Sequence, residues 1–385
     1  MLEPGRTYEP LRILAGGITV EGRGAVIDGV GFNGTGIIAE GVSGVTLRNV
    51  RVRGFNLGLR VVDGAGWIIE DCDFSDNFHD PDWGWEQHAP AGGMLLERVC
   101  DSRIVRCLAN RVWDACHLIG CDDNIVDAND FSHTSDTCLK LWASSRNTVQ
   151  SNNLSHGIRI SSGEVHARDS CCVLVESGSH DNRFLDNDAT YGGDGFFIRV
   201  LDGKPSSGNL FQRNDASYAH NNCFEAWAAG NTYLENRANH GSYGFWLGNS
   251  NETVLIGNEA GWNGDASGNH NAPEAFGHGG IVFVNGSSEY VLAVRNHCHQ
   301  NAGGGIVIRG GAGFRAAHWL IQINRLVVNR WGVFVQNAED IQLGPNDFDG
   351  NAEADILDAG GVSGLRGHDE PLDEQAWLSG WPGRP

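Results

Sequence analysis

Residues 123–130 read DNIVDAND and residues 146–153 read RNTVQSNN. In both, an asparagine is followed two residues later by an apolar side chain and five residues later by a second asparagine. The same motif returns as DNRFLDND from Asp181, GNLFQRND from Gly208 and GNTYLENR from Gly230, so its leading asparagines are Asn124, Asn147, Asn182, Asn209 and Asn231. Where no loop intervenes the spacing is roughly 22 residues, inside the 20–50-residue range of solenoid repeats. The repeat runs from Gly44 to about Asp358.

Between the copies lies a second short segment that alternates apolar with other residues: ACHLIG, CLKLWA, CVLVES, GFFIRV, CFEAWA, GFWLGN and their successors. Alternation with a period of two marks a strand with one buried face. No stretch indicates a helix. Asparagine is disfavoured in strands, so an asparagine at one fixed place per copy is expected in a turn, hydrogen-bonded to its counterparts and tolerating left-handed geometry.

Short strands, asparagine turns and this period together resemble the right-handed parallel β-helix family, the pectate-lyase-like solenoids, over nearly the whole chain. The expected fold is therefore all-β, a parallel β-helix solenoid of roughly a dozen coils, about 4.8 Å apart, with long loops walling a groove on one sheet. One continuous domain is expected over 1–385, with an N-terminal cap and first coils in 1–43, regular coils in 44–358, and a C-terminal cap in 359–385 that folds over the last coil. The resemblance implies a groove holding a carbohydrate chain. No local motif assigns a particular lyase, epimerase or hydrolase, so no catalytic residue is carried over by it, and a shared fold does not fix a chemistry.

Composition narrows the partners. Forty-eight acids against 27 bases give a formal charge of −21, which opposes binding to nucleic acid, to an anionic membrane or to a strongly anionic polymer. No apolar run approaches the ~18 residues of a membrane span. The opening residues MLEPGRTYEP lack the basic start and apolar core of a secretory signal, so the sequence as it stands reads as cytoplasmic, or as secreted with its signal removed. The ten cysteines, several of them in apolar strand contexts, read as buried thiols. No cysteine and histidine spacing suits zinc. No cofactor is expected. Calcium, which related folds hold in acid clusters, has no compelling cluster, and CDDN at 121–124 reads as a structural turn. Oligomerisation is left open.

Aligning the second segments places Leu139, Val173, Phe196, Phe224 and Phe245 inward and the residue after each outward. One outward column reads Arg60, Leu95, His117, Lys140, Leu174, Phe197, Glu225, Trp246, Val282 and Val307, and a second, two residues on, includes Trp142, Glu176, Arg199 and Trp227. A slip of one residue would bury Lys140, Glu225, Glu176 and Arg199 together, which fixes the register. Three insertions precede strands of this sheet, at 78–93, 155–170 and 262–280, and should rise at one edge of it.

Hydrolysis of a glycosidic bond needs two carboxyl groups. The expected catalytic set is Glu225 and Glu176, with α-carbons about 11–12 Å apart from strand spacing, tuned by Lys140 and Arg199. Asp194 is a further partner, as are Asp114 and Asp136 on successive coils. The competing chemistry, elimination or C5 epimerisation of a uronic acid, would use Lys140 or His117 as base and Arg199, Arg159 or Arg168 to neutralise the substrate carboxylate. Trp142, Trp227, Trp246, Trp83 and Trp85 are expected platforms for sugar rings, with Arg159, His166 and His79 as further substrate contacts. A β-helix that only binds glycan or supports an assembly is the third expectation.

Overall fold

The computed structural model describes residues 1–266, 268 and 270–382. They form two compact units: residues 1–196 with 201–204, and residues 197–200 with the described residues from 205 onward. Summed over both, the chain makes about 14 turns of a parallel β-solenoid with almost no helix.

The first unit is built on two parallel sheets. One passes through Leu11–Ile13, Thr35–Glu40 and Leu57–Ala65 to β1 (Gly92–Cys100), β2 (Val112–Ile119), β3 (Thr134–Trp142) and β4 (Cys171–Glu176). The other holds the asparagine-flanked strands, among them Ile125–Asp127, Thr148–Gln150 and Arg183–Leu185. The second unit repeats the plan. Its first sheet starts with β5 (Asn222–Ala226) and β6 (Tyr243–Leu247) and ends at Ala354–Asp358, and a short third sheet joins Glu259–Gly261 to Asp347–Asp349.

The expected register is observed. Leu95 pairs with His117, His117 with Lys140, Lys140 with Leu174 and Trp142 with Glu176 in the first unit, and Glu225 with Trp246 in the second. Leu139, Leu141, Val173, Phe224 and Phe245 fill the core. Outward did not mean solvent-facing, however. Lys140 is only 9% exposed, Glu176 1%, and His117 is buried as well. Alternation along one strand cannot register what lies over its outer face.

The asparagines do bond to one another. Asn147 Oδ1 accepts from the Asn124 backbone N–H at 2.9 Å and from its side-chain amide at 3.1 Å, while Asn147 Nδ2 donates to Cys121 O at 2.9 Å and to Asn182 Oδ1 at 3.0 Å. The left-handed residue is the one before each asparagine, not the asparagine itself: Asp123, Arg146 and Asp181 have φ of 58°, 57° and 56°. That residue turns the chain and so frees the asparagine to point inward. Its own side chain builds an outer ladder, as where Arg146 reaches Asp123 at 2.8 Å and Asp122 at 3.0 Å.

The ten cysteines are free thiols, all but Cys100 buried. Among its described residues the C-terminal segment packs on a flank of the second unit rather than over the last coil. Its helix α1 (Glu374–Ser379) lies on the flank of the second unit, where Leu372, Trp377, Leu378 and Trp381 pack with Val254, Leu292, Val294 and Leu320, and Arg295 holds Glu374 at 2.7 Å. Those outward apolar residues need cover, and the tryptophans supply it. In the last coil Ile356 stays 40% exposed. Residues 383–385 of the expected cap, and Ser267 and Asn269 of the third insertion, lie outside the described residues.

Candidate functional site

Asp114 and Asp136 stand near the starts of β2 and β3. Strict register from Val112–Thr134 would set Asp114 directly opposite Asp136. Val112 pairs with Thr134 but Asp114 with Thr137, so β3 carries one extra residue there. The bulge thus falls at the acid pair itself, where such irregularities re-aim side chains. The two carboxyls share a side-chain hydrogen bond. Gly92 lets the first insertion re-enter the sheet against them: its φ is +108°, and a Cβ there would lie 2.4 Å from Asp114 O.

Both insertions of the first unit fold onto this pair. Arg159, 2% exposed, donates from Nη1 to Asp136 Oδ1 at 3.0 Å, and its guanidinium lies 4.6 Å over the ring of Trp113. Trp83 packs edge-on to Trp113 at 6.1 Å, with His88 5.2 Å from the same ring. Asp80 N–H donates to Ser135 Oγ at 3.2 Å. His117 Nδ1 lies 3.9 Å from Asp114 Oδ2.

The electrostatics divide the pair. Burial, then the charge on Asp136, pushes the Asp114 carboxyl well above the usual carboxylate range. Burial raises Asp136 too, but Lys140 and Arg159 oppose it. Asp114 is thus the member that keeps a proton and Asp136 the member that carries charge. Burial, and secondarily Lys140, lowers His117 to about 3, which leaves the imidazole neutral.

The other expected residues are distributed as follows. Glu176 closes β4 opposite Trp142, which is half-buried. It is five residues along from Cys171, the partner of Thr137, hence roughly 17 Å up the sheet from the acid pair. Asp194 is buried in the first unit, and its N–H donates to Ser170 O at 3.1 Å, level with the start of β4. Trp83 is half-buried with its indole N–H on Glu86 O at 2.9 Å, Trp85 is 57% exposed, and His79 and His166 are exposed on the loops. In the second unit Arg199 is buried, its guanidinium 5.8 Å from the Phe197 ring. Glu225 accepts from Asn222 Nδ2 and from Trp227 Nε1, both at 2.6 Å. Trp246 packs at 4.5 Å on Tyr243. Among the described residues no group of three or more His, Cys, Asp or Glu side chains forms a metal-ligating arrangement.

The structure thus assembles Asp114, Asp136, Lys140, His117 and Arg159. Sequence reasoning had Asp114 and Asp136 only as secondary partners, and the bulge at the pair has no signature in the apolar alternation.

The family model described as the right-handed beta helix region matches residues 35–236, more than half of the chain. The chain belongs to the right-handed β-helix family. No curated protein matches it. Among solved structures, this β-helix is similar to the Dettilon tailspike protein at 13% identity, with a TM-score of 0.46, over 83% of this chain and 60% of that one. It thus spans less than two thirds of the tailspike's length. It is also similar to a mannuronic acid specific polysaccharide family 6 lyase from human gut microbiota, at 13% identity and a TM-score of 0.45 over 95% and 91%. The A-module of a mannuronan C-5 epimerase from Azotobacter vinelandii gives 11% and 0.44 over 94% and 91%. At such identities these likenesses concern the fold alone.

Proposed function

We propose that this β-helix protein is a carbohydrate-active enzyme that hydrolyses glycosidic bonds, with Asp114 and Asp136 as its water-activating unit. The observation that carries this reading is the buried, hydrogen-bonded carboxyl pair, polarised by Lys140 and Arg159. Two titratable groups whose surroundings push their proton affinities apart are the pattern of an acid–base centre. Directly bonded carboxyls are closer than the ~5–5.5 Å of retaining pairs or the ~6.5–9.5 Å of inverting pairs, so both belong on one side of the scissile bond. There Asp136 takes the proton of an attacking water that Asp114 helps to hold.

The leaving oxygen then needs a proton from a second carboxyl. Glu176 is too far along the sheet to give it. Asp194 fits better: it lies level with the start of β4 on the following coil, two strand spacings or about 10 Å from β3. In the second unit Glu225, Trp227 and Trp246 offer an aromatic, hydrogen-bonding surface for sugar. The elimination reading loses one of its two candidate bases, because an imidazole with a pKa of about 3 is a poor base near neutrality, and would rest on Lys140.

The test is incubation with a polysaccharide panel, following both reducing ends and the ultraviolet absorbance of unsaturated products. Hydrolysis gives reducing ends alone. Absorbance as well would replace this reading by elimination or its relatives, and retention on immobilised glycan without any product would leave a binding protein.

A further inference from the structure

The two insertions of the first unit are tied to each other as well as to the sheet. Arg168, on the second insertion, donates from Nη1 to the carbonyls of Asp82 at 3.1 Å and Trp83 at 2.8 Å, both on the first. Its Nε grips Glu164 at 2.9 Å and its Nη2 reaches Ser161, so the same guanidinium shapes its own loop. Gln87 Nε2 adds a bond of 3.0 Å across to Asp169 Oδ2. Backbone carbonyls of one loop held by a buried guanidinium of the other make a fastening that neither loop keeps if the other moves. Beneath it lie the acid pair and Trp113, so a glycan reaches Asp136 only when the loops part.

Arg159 belongs to the second insertion, yet it is an ion partner of Asp136 and stacks on Trp113. The loop that covers the site therefore brings in one of the charges that polarise it. We propose that the segments 78–91 and 156–170 form one lid latched by Arg168, and that lid closure and the placing of Arg159 against Asp136 are a single event. Arg159 is then a positioning residue, acting through Asp136 rather than on substrate. With the lid open, Asp136 faces Asp114 from β2 and Lys140 from its own strand, without Arg159 and Asp169 from the lid. Closure thus places the counter-ion that favours the charged, proton-accepting form of Asp136 at the moment the substrate is enclosed. This inference rests on the reading of Asp114–Asp136 as the acting pair, but its test does not use substrate.

In the intact protein, hydrogen–deuterium exchange of both segments and carbon-13 NMR titration of the aspartate carboxyls are followed in the parent, Arg168→Gln and Arg159→Gln. Arg168→Gln should speed exchange in both segments together, by about tenfold or more. It should also move the Asp136 titration, and downward where Arg159→Gln moves it upward, because opening the lid relieves the burial that chiefly raises this carboxyl and removes Asp169, whereas Arg159→Gln withdraws only a counter-ion. Faster exchange confined to 156–170, or exchange in both segments with the Asp136 titration unmoved, would overturn the coupling. Should Arg168→Gln fail to fold, Gln87→Ala weakens the same fastening: joint loosening of both segments supports one lid and independent behaviour refutes it. A glycan panel without products, alongside these shifts, would sink the hydrolase reading and leave the lid intact.

Discussion

Arg159 Nη1 lies 3.0 Å from Asp136 Oδ1, and both residues are buried. A buried ion pair of this kind is costly to break from one side, because the partner is left as an uncompensated charge. It follows that Asp136 and Asp114 should respond differently to substitution. Asp136→Asn removes the charged member and leaves Arg159 and Lys140 without it, so turnover should fall by about 10²–10⁴-fold. Asp114→Asn replaces the protonated member by a neutral group of the same shape that still hydrogen-bonds, so the loss should be at least tenfold smaller. Steady-state rates on whichever glycan the panel identifies make the comparison, and equal losses would contradict the assigned protonation.

His117 should make the fold acid-sensitive. Its folded pKa of about 3 lies below the ~6.5 of an unfolded histidine, so at intermediate pH the unfolded chain binds the extra proton. Stability therefore falls as pH drops from about 6.5 toward 3, by roughly 2–3 kcal/mol at about pH 4.5. His117→Leu removes the group. Urea unfolding at pH ~7 and ~4.5 should show a smaller acid loss in the variant than in the parent, and identical losses would mean that the imidazole is not held neutral.

The asparagine ladder should be worth more than any one of its strands. The Asn147 side chain joins three coils through four hydrogen bonds, and truncation takes the acceptor from the Asn124 backbone N–H and the donor from Cys121 O in a dry interior, while Asn182 Oδ1 keeps the Asn147 N–H. Asn147→Ala is expected to cost on the order of 3–5 kcal/mol. Asn147→Asp should be no better, since it keeps the acceptor but loses the donor and buries a charge. Thermal or chemical denaturation measures both, and a cost below about 1 kcal/mol would mean that the ladder is not what holds the coils in register.

The fold was legible because its determinants are local and repeated. Asn124, Asn147 and Asn182 recur at fixed offsets, and Leu139 or Phe224 alternate with polar neighbours, so the coil, the register and the outward columns follow from one-dimensional spacing. The site was legible only in part. Lys140, His117 and Arg159 were singled out, and the structure gathers them. The acid pair sits at a bulge between Val112 and Asp114, and the ion pair of Arg159 with Asp136 depends on a loop that returns to the sheet. Neither leaves a periodic trace. The place of the C-terminal tryptophans was not legible for the same reason: they pack on the flank around Leu292, and sequence spacing does not select that surface.

Gly248 supplies the test of the aromatic surface in the second unit. A Cβ at this position would sit 2.3 Å from Cζ3 and 2.5 Å from Cε3 of Trp227, and the Trp227 indole N–H is bonded to Glu225 at 2.6 Å. The glycine is thus needed for space, since its φ is not in the left-handed region. Gly248→Ala should lift the ring, weaken its bond to Glu225 and change tryptophan emission, at a cost of about 1–3 kcal/mol from overpacking. If Trp227 is a platform for sugar, glycan retention should drop by about tenfold, close to 1.4 kcal/mol. Trp227→Phe separates the two roles of the ring, because it keeps an aromatic face while removing the donor to Glu225. Retention lost in Gly248→Ala but kept in Trp227→Phe assigns the effect to the position of the ring. Retention kept in both would remove Trp227 from the binding surface.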